Sequence, residues 1–456
     1  MSRFKGFSGI LIVVLVFITI LSACGGGNNN NSADNNSSTK SADTNAKTTE
    51  KAPEKAKEKV VLNSFDWTEP NTSRFQVGLD LVAEFNARDD VNATIKDDHL
   101  NSTAFYPKLN AMIAGNEAPD VYTLHGAGKM KTYADAGKLV ELTDYLNADP
   151  EWKDSFISGA FSLMTFDNKV YGVPVSFSAA TLYYNKEIFD KYNLQPPATY
   201  NDLKEVIKVL TANNVTPIAM AAKDAWVSAL FSELVANRIG GDAPFDAIMN
   251  GGGTWLDPSF IEMGYVMQEL VGLKAFPEGF LSLDNTGMTS MFKNGEAAMM
   301  VTGSWGINQV VAEDSKIKDV AAIAKFPVFE NGKGSADTWL GQPGFNFVIS
   351  EKSKDKEASL EFIKMWTNNK YQVQVGEIIG DLPATQVTLD PMKVPELSKS
   401  LKKEMSTMTS MFIFYDVGLG AKIGDEYNNT IQEILAGVKP EEAFKNLQQY
   451  TEDNRE

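Results

Sequence analysis

The sequence predicts an α/β protein with a large core, set behind a leader and a polar spacer. Three observations predict it. Short apolar runs alternate with stretches whose apolar residues recur at helical spacing. A length of 456 residues, 43% hydrophobic and 10% aromatic, is a globular composition and favours two lobes over one. The segment before Val60 follows neither pattern.

That segment opens with Arg3 and Lys5, continues through an apolar run from Ile10 to Leu21, and closes on Ser22, Ala23 and Cys24. Residues 1–23 read as a secretory signal; the alternative is an uncleaved signal anchor, for which the run is short. The Leu21–Cys24 stretch resembles the lipobox of bacterial lipoproteins. That resemblance implies cleavage before Cys24, a diacylglycerol on its thiol, and a position outside the cytoplasmic membrane. Between Cys24 and Val60 there is no Val, Ile, Leu, Met or aromatic residue. Residues 24–59 therefore have nothing to bury and are expected to be a disordered tether.

Losing the leader takes the formal charge from −17 to about −19. Such a surface repels nucleic acid and anionic lipid, because phosphate recognition needs clustered Lys and Arg. One cysteine, already assigned to lipidation, leaves no disulfide framework. With His99 and His125 as the only histidines, the common soft-ligand metal sites cannot be assembled. No cofactor and no metal are expected.

Taken in order, Val60–Leu62 reads as a strand, and Phe75, Leu79, Val82 and Ala83 share a helical face after it. Val170–Val175 is strand-like. Thr199 and Asp202 form a capping box for a helix whose buried stripe is Leu203, Val206, Ile207 and Leu210. Strands are expected at Ala297–Val301, Val320–Ala324 and Phe345–Ile349. Further helices follow from the spacing of Ala358, Phe362, Met365 and Trp366, and of Ile431, Ile434 and Leu435.

Catalytic motifs are weak. Gly126-Ala127-Gly128-Lys129 fails as a phosphate loop, because Met130 stands where Ser or Thr must hold magnesium and Thr123 where the first glycine belongs. Gly251-Gly252-Gly253 reads as a turn, or as a pocket edge. No nucleophile elbow, zinc helix or calcium loop is visible. Paired carboxylates of a glycoside hydrolase remain open, since any two of 59 acidic residues can be brought together by folding. Trp67, Trp226, Trp255, Trp305 and Trp339 lie in loop-like contexts. Indole faces suit the C–H faces of sugars, and core packing is the alternative for each.

Longer stretches carry a family likeness. Ala118-Pro119-Asp120-Val121 and Gly137–Leu142 are followed by Tyr171-Gly172-Val173-Pro174, Leu182–Glu187 and Pro197–Tyr200. Met291–Met299 then runs into Gly303-Ser304-Trp305. Together these resemble the extracellular sugar-binding proteins of bacterial ABC importers, the group that includes maltose-binding protein, over about residues 60 to 450. Thr216–Ala219 with Lys223–Trp226 resembles the branch that binds small oligosaccharides.

The resemblance implies two α/β lobes with a ligand cleft between them, joined by hinge crossovers. Lobe 1 would comprise 60–172 and 325–375, and lobe 2 would comprise 173–324 and 376–456, with 171–175 and 320–327 as hinge strands. It places Trp305 as an aromatic platform, Trp226 as a stacking ring with the Asp224 carboxylate beside it accepting from hydroxyls, and Asp381 as a sugar-binding acid. Trp67 and Glu69 follow the carboxyl end of the first strand, where ligands of open α/β sheets sit. His125 falls in a loop that departs from the family in sequence and length. Phe177 follows a hinge strand, and Trp339 and Gln342 flank the Phe345 strand; these three line the pocket or pack in the core.

The expected function is capture of a short oligosaccharide and its delivery to ABC permease subunits, without chemical change. The protein would be a monomer, bound to the membrane through its lipid only, on a Gram-positive-type surface. The alternatives are a lipid-anchored glycosidase and a same-fold binder of a non-sugar solute.

Overall fold

A computed structural model describes residues 59–455. The leader, Cys24 and the spacer up to residue 58 lie outside the described residues.

Two long antiparallel strands, Val173–Asn185 and Thr338–Ile349, organise the molecule. On one side the sheet continues through Val121–Thr123, Val60–Asp66 and Ala93–His99. On the other it continues through Ala297–Gly303 and Thr216–Ala219, with Ala321–Ala324 paired to the far end of Val173–Asn185. Each long strand begins in one core and ends in the other. Val173 and Val175 pack with Leu62, Leu81 and Phe362, whereas Leu182 packs with Ile207, Leu230 and Met299. Helices cover the sheet in both lobes, which gives the layered α/β arrangement.

The crossovers are thus these two long strands. The expected hinge strand at 320–327 is instead Ala321–Ala324, which pairs within the second lobe. The other expected hinge, 171–175, overlaps the start of the first crossover, which begins at Val173 after a small hairpin of Thr165–Phe166 and Lys169–Val170. Phe326, Trp339 and Leu340 pack in the second core, so the return crossing comes later in the chain than residue 325. It coincides with a register break between Pro343, Phe345 and Asn346. Proline has no N–H to donate to a ladder, and an irregular step there turns the strand between lobes.

Local signals formed as expected where they were self-contained. The Thr199 hydroxyl accepts from the Asp202 amide while the Asp202 carboxylate accepts from the Thr199 amide, and Leu203, Val206, Ile207 and Leu210 are buried. Ala358, Phe362, Met365 and Trp366 are buried on Lys356–Thr367, and Ile431, Ile434 and Leu435 on Gly420–Leu435. In Ser73–Asn86 the buried stripe is Val77, Leu81 and Phe85, not the expected Phe75, Leu79 and Val82. Both sets of residues recur at helical spacing, and docking against the sheet selects between them.

Two of the five tryptophans belong to the second core. Trp255 is fully buried, stacks on Tyr427 at 5.3 Å and donates its indole N–H to Thr451 Oγ1 at 3.0 Å. The Gly251–Gly253 stretch before it is a turn after the helix Ala243–Met249. Trp339 packs with Ile307, Val310 and Leu401. Trp255→Ala is expected to destabilise the protein by about 3–5 kcal/mol, because the rigid cage around the ring cannot collapse into the space it leaves. Urea unfolding followed by circular dichroism checks this.

Candidate ligand cleft

A cavity of about 570 Å³ lies between the lobes, a volume within the range of small-molecule sites. Its floor is the irregular crossing of the long strands, where Ser178, Gln342, Gly344 and Phe345 line it. A Cβ at Gly344 would stand 2.1 Å from Ser178 Oγ and 3.0 Å from Ser178 Cβ, so glycine there leaves room for the Ser178 side chain.

Each wall carries an aromatic cluster. On the first lobe, Trp67 stacks on His125 with ring centroids 4.5 Å apart and planes 5° from parallel, and meets Phe345 edge-on at 5.5 Å. Tyr106 holds this platform: its hydroxyl lies 2.7 Å from His125 Nδ1 and accepts from the His125 amide at 3.1 Å. On the second lobe, Trp305 meets Trp226 and Phe414, each at 6.0 Å. Trp305 stands where Ala297–Gly303 ends in a single 3₁₀ turn, and Trp226 opens the helix Ala225–Gly240.

Between the aromatic walls lie polar atoms without partners. Arg74 Nη1, Trp226 Nε1, Glu233 Oε2, Asn285 Oδ1, Gln342 Oε1, Asp381 Oδ1 and Asn428 Oδ1 are buried and unpaired among the described residues, and all belong to residues that line the cavity. Seven of the seventeen such atoms among the described residues thus belong to residues lining this one cavity.

The charges are arranged in pairs. Arg74 ion-pairs with Asp381, which also accepts from Ser176 Oγ at 3.0 Å, and the Arg74 guanidinium lies 4.4 Å over the Phe345 ring. Lys129 of the first lobe reaches Asp416 of the second at 3.0 Å and Asp425 at 3.8 Å. Burial opposes charge on Lys129, but Asp416 and Asp425 outweigh it and hold its ammonium above the ordinary lysine range. Burial, reinforced by Lys129, pushes His125 down to about 3, so its ring is neutral at physiological pH. Glu69 is raised by burial and then by Asp224 and Asp284.

Glu233 is the least compensated group. Its Oε1 accepts from the Tyr415 amide at 3.1 Å while burial, followed by Asp416, pushes its carboxyl well above the ordinary glutamate range. A raised carboxyl binds its proton more tightly in the native than in the unfolded chain. Unfolding free energy therefore falls as pH rises from about 4.5 towards the raised value. Glu233→Gln, always neutral, is expected to be more stable than the parent at pH 7 and to lose this slope, by up to about 1.4 kcal/mol per pH unit. Urea titrations at pH 5 and pH 7 read both quantities.

The cleft gathers Trp67, Glu69, His125, Trp226, Trp305, Gln342 and Asp381 of the expected residues. Three of the named residues lie outside the cavity lining. Asp224 is already engaged at the rim, accepting from Thr103 Oγ1 of the opposite lobe at 2.8 Å and from the Asn285 amide at 2.8 Å. Phe177 lies against the first core, opposite Leu382. Trp339 is buried away from the cleft, as described above. The sequence reading missed Arg74, Tyr106, Lys129, Glu233, Asn285, Phe345, Phe414, Asp416 and Asn428. For Glu233 a signal existed, since it is an acid inside a helix apolar on every face.

The lobes are in contact. A Cβ at Gly128 would stand 2.3 Å from the Gly418 carbonyl oxygen and 2.6 Å from the Gly420 nitrogen. Gly128→Ala is expected to weaken ligand binding by tenfold or more by holding the lobes apart. It should not lower the melting temperature of the free protein, because alanine favours the helix Ala127–Asp135 in which it sits. Calorimetric titration and a melting curve separate the two effects.

Two α/β lobes around an aromatic, hydroxyl-seeking cleft define a solute-binding protein. The chain belongs to the family of bacterial extracellular solute-binding proteins, whose model matches residues 70–373. It is 22% identical over 327 residues to the multiple sugar-binding protein of Streptococcus mutans, covering 66% of this chain and 74% of that protein. A solved structure from work on xylan utilization by the thermophilic bacterium Caldanaerobius polysaccharolyticus is 27% identical with a TM-score of 0.82, covering 86% of this chain and 99% of the other. A chitin oligosaccharide binding protein, at 23% identity and a TM-score of 0.80 over 87% of this chain and 99% of its own, shares the fold.

Proposed function

We propose that this protein captures a short, uncharged oligosaccharide between Trp67 and His125 on one lobe and Trp305 and Trp226 on the other. The loaded, closed form would then be presented to the permease of an ABC importer. The observation that carries this is the pairing of opposed aromatic platforms with a ring of unsatisfied polar atoms in one cavity. Sugar rings offer C–H faces to indoles, and their hydroxyls donate to Glu233, Asn285, Gln342 and Asp381. The multiple sugar-binding protein of Streptococcus mutans, the structure from work on xylan utilization and the chitin oligosaccharide binding protein support the class.

Anionic cargo fits poorly, because both cleft cations, Arg74 and Lys129, are already neutralised by Asp381 and Asp416. Attachment through Cys24 would keep the protein at the outer face of the membrane, with residues 24–59 as the tether. The two acyl chains of a diacylglycerol would anchor it stably, and the tether would keep it at high effective concentration near the permease. Closure on ligand gives the transporter two forms to distinguish.

One observation favours the hydrolase alternative: the cleft holds a carboxyl raised by burial, Glu233, beside a carboxylate lowered by Lys129, Asp416. Incubation with xylo-, chito- and malto-oligosaccharides, followed by chromatography, decides it. The binding reading expects no cleavage; repeated turnover would overthrow it.

The same panel in a thermal-shift screen is expected to give at least one sugar that raises the melting temperature. Trp305→Ala should remove most of that shift and leave the free protein's melting close to the parent's, since the ring is only partly buried. Loss of the free protein's fold would instead assign Trp305 to the core.

A further inference from the structure

Behind the cleft wall, the first lobe contains a polar cluster in an otherwise apolar layer. The parallel strands Val60–Asp66 and Ala93–His99 run in a register that pairs Ser64 with Asp97 and Asp66 with His99. With a side-chain period of two, these four residues share one face of the sheet. The edge of Phe75, from the helix Ser73–Asn86, covers His99 at 5.0 Å. His99 Nδ1 lies 3.0 Å from Asp66 Oδ1, and His99 Nε2 lies 3.2 Å from Asp97 Oδ2. One donor atom from each of the three residues falls within 4.8 Å of the others.

The cluster is more than a group of acids. Asp97 Oδ1 has no partner although its side chain is only 9% exposed, and neither does the Oγ of Ser64, which is 1% exposed. The nearby ammonium of Lys108 is turned outward to Asp98 at 2.9 Å. Two buried carboxylates are thus left with a single imidazole as their cationic neighbour.

We propose that Asp66, Asp97 and His99 form a binding site for a divalent transition-metal ion, Zn²⁺ foremost, with Ser64 Oγ or water as a fourth donor. One imidazole nitrogen and two carboxylate oxygens are the donors Zn²⁺ takes in a four-coordinate site. Ca²⁺ requires six to eight oxygens, which this cluster does not supply. Asp66 Oδ1 also accepts from the Thr68 amide at 2.7 Å, and Trp67, Thr68 and Glu69 line the cleft. The ion would therefore brace the segment that carries the Trp67 platform, outside the ligand cavity itself.

The test uses the full chain with Cys24→Ser, so that the thiol does not compete for zinc. After treatment with a chelator and dialysis, the protein is titrated with ZnCl2 and, separately, CaCl2 by calorimetry. Crystals soaked in ZnCl2 are measured at the zinc edge. The expected result is one Zn²⁺ per chain, an anomalous peak between Asp66, Asp97 and His99, and no comparable Ca²⁺ uptake. Asp97→Asn and His99→Gln should each weaken zinc binding by about 100-fold. Absence of zinc uptake, equal affinity in folded variants, a peak elsewhere, or Ca²⁺ binding of similar strength would each overturn the proposal. If both variants fail to fold, the position of the peak in the unmutated site decides alone.

Discussion

The antiparallel pairing of Val173–Asn185 with Thr338–Ile349 is the constraint on which the rest of this structure depends. Both strands are buried along nearly their whole length, and each contributes side chains to two separate cores. Continuous ladder hydrogen bonding would hold the lobes rigidly in one sheet. The break at Pro343, Phe345 and Asn346 interrupts it where the cleft has its floor. The packing that stabilises each lobe and the irregular backbone that lets them meet at a cavity thus lie on the same pair of strands.

Closure then presents an electrostatic problem, since it buries charges from both lobes. The molecule solves it with pairs: Lys129 crosses to Asp416, and Arg74 is matched by Asp381, whose neighbours Ile379 and Ala384 pack in the first core, and capped by the Phe345 ring. An ammonium buried this way needs a partner, because its desolvation is costly unless offset. The consequence for recognition is that the cavity's free valences are five acceptor oxygens, on Glu233, Asn285, Gln342, Asp381 and Asn428, against two donors, on Arg74 and Trp226. A ligand with many hydroxyl donors and C–H faces matches that inventory, and a phosphate or carboxylate does not.

Features encoded within a few residues were legible in the sequence. The Thr199 capping box, the stripes of Lys356–Thr367 and Gly420–Leu435, and the strand ending in Trp305 depend on neighbours in the chain. The site was legible in part, through Trp67, Trp226, Trp305 and Asp381. Composition cannot separate Trp305 from Trp255 or Trp339, because both kinds sit near turns and only tertiary packing decides which ring is covered. Arg74, Lys129 and Asp416 were invisible for a related reason: each matters through a partner hundreds of positions away. The return crossover was misplaced because an apolar run marks a strand, but not which of two cores its ends enter.

The central claim is that opposed indole surfaces and unsatisfied acceptors hold a sugar between the lobes. A crystal structure of the protein with the oligosaccharide that stabilises it most tests this directly. The account predicts sugar rings lying flat against Trp67 and Trp305, with hydroxyls on Glu233 Oε2, Asn285 Oδ1 and Gln342 Oε1. A sugar bound outside the cleft, or one that leaves those indoles and acceptors untouched, would contradict it.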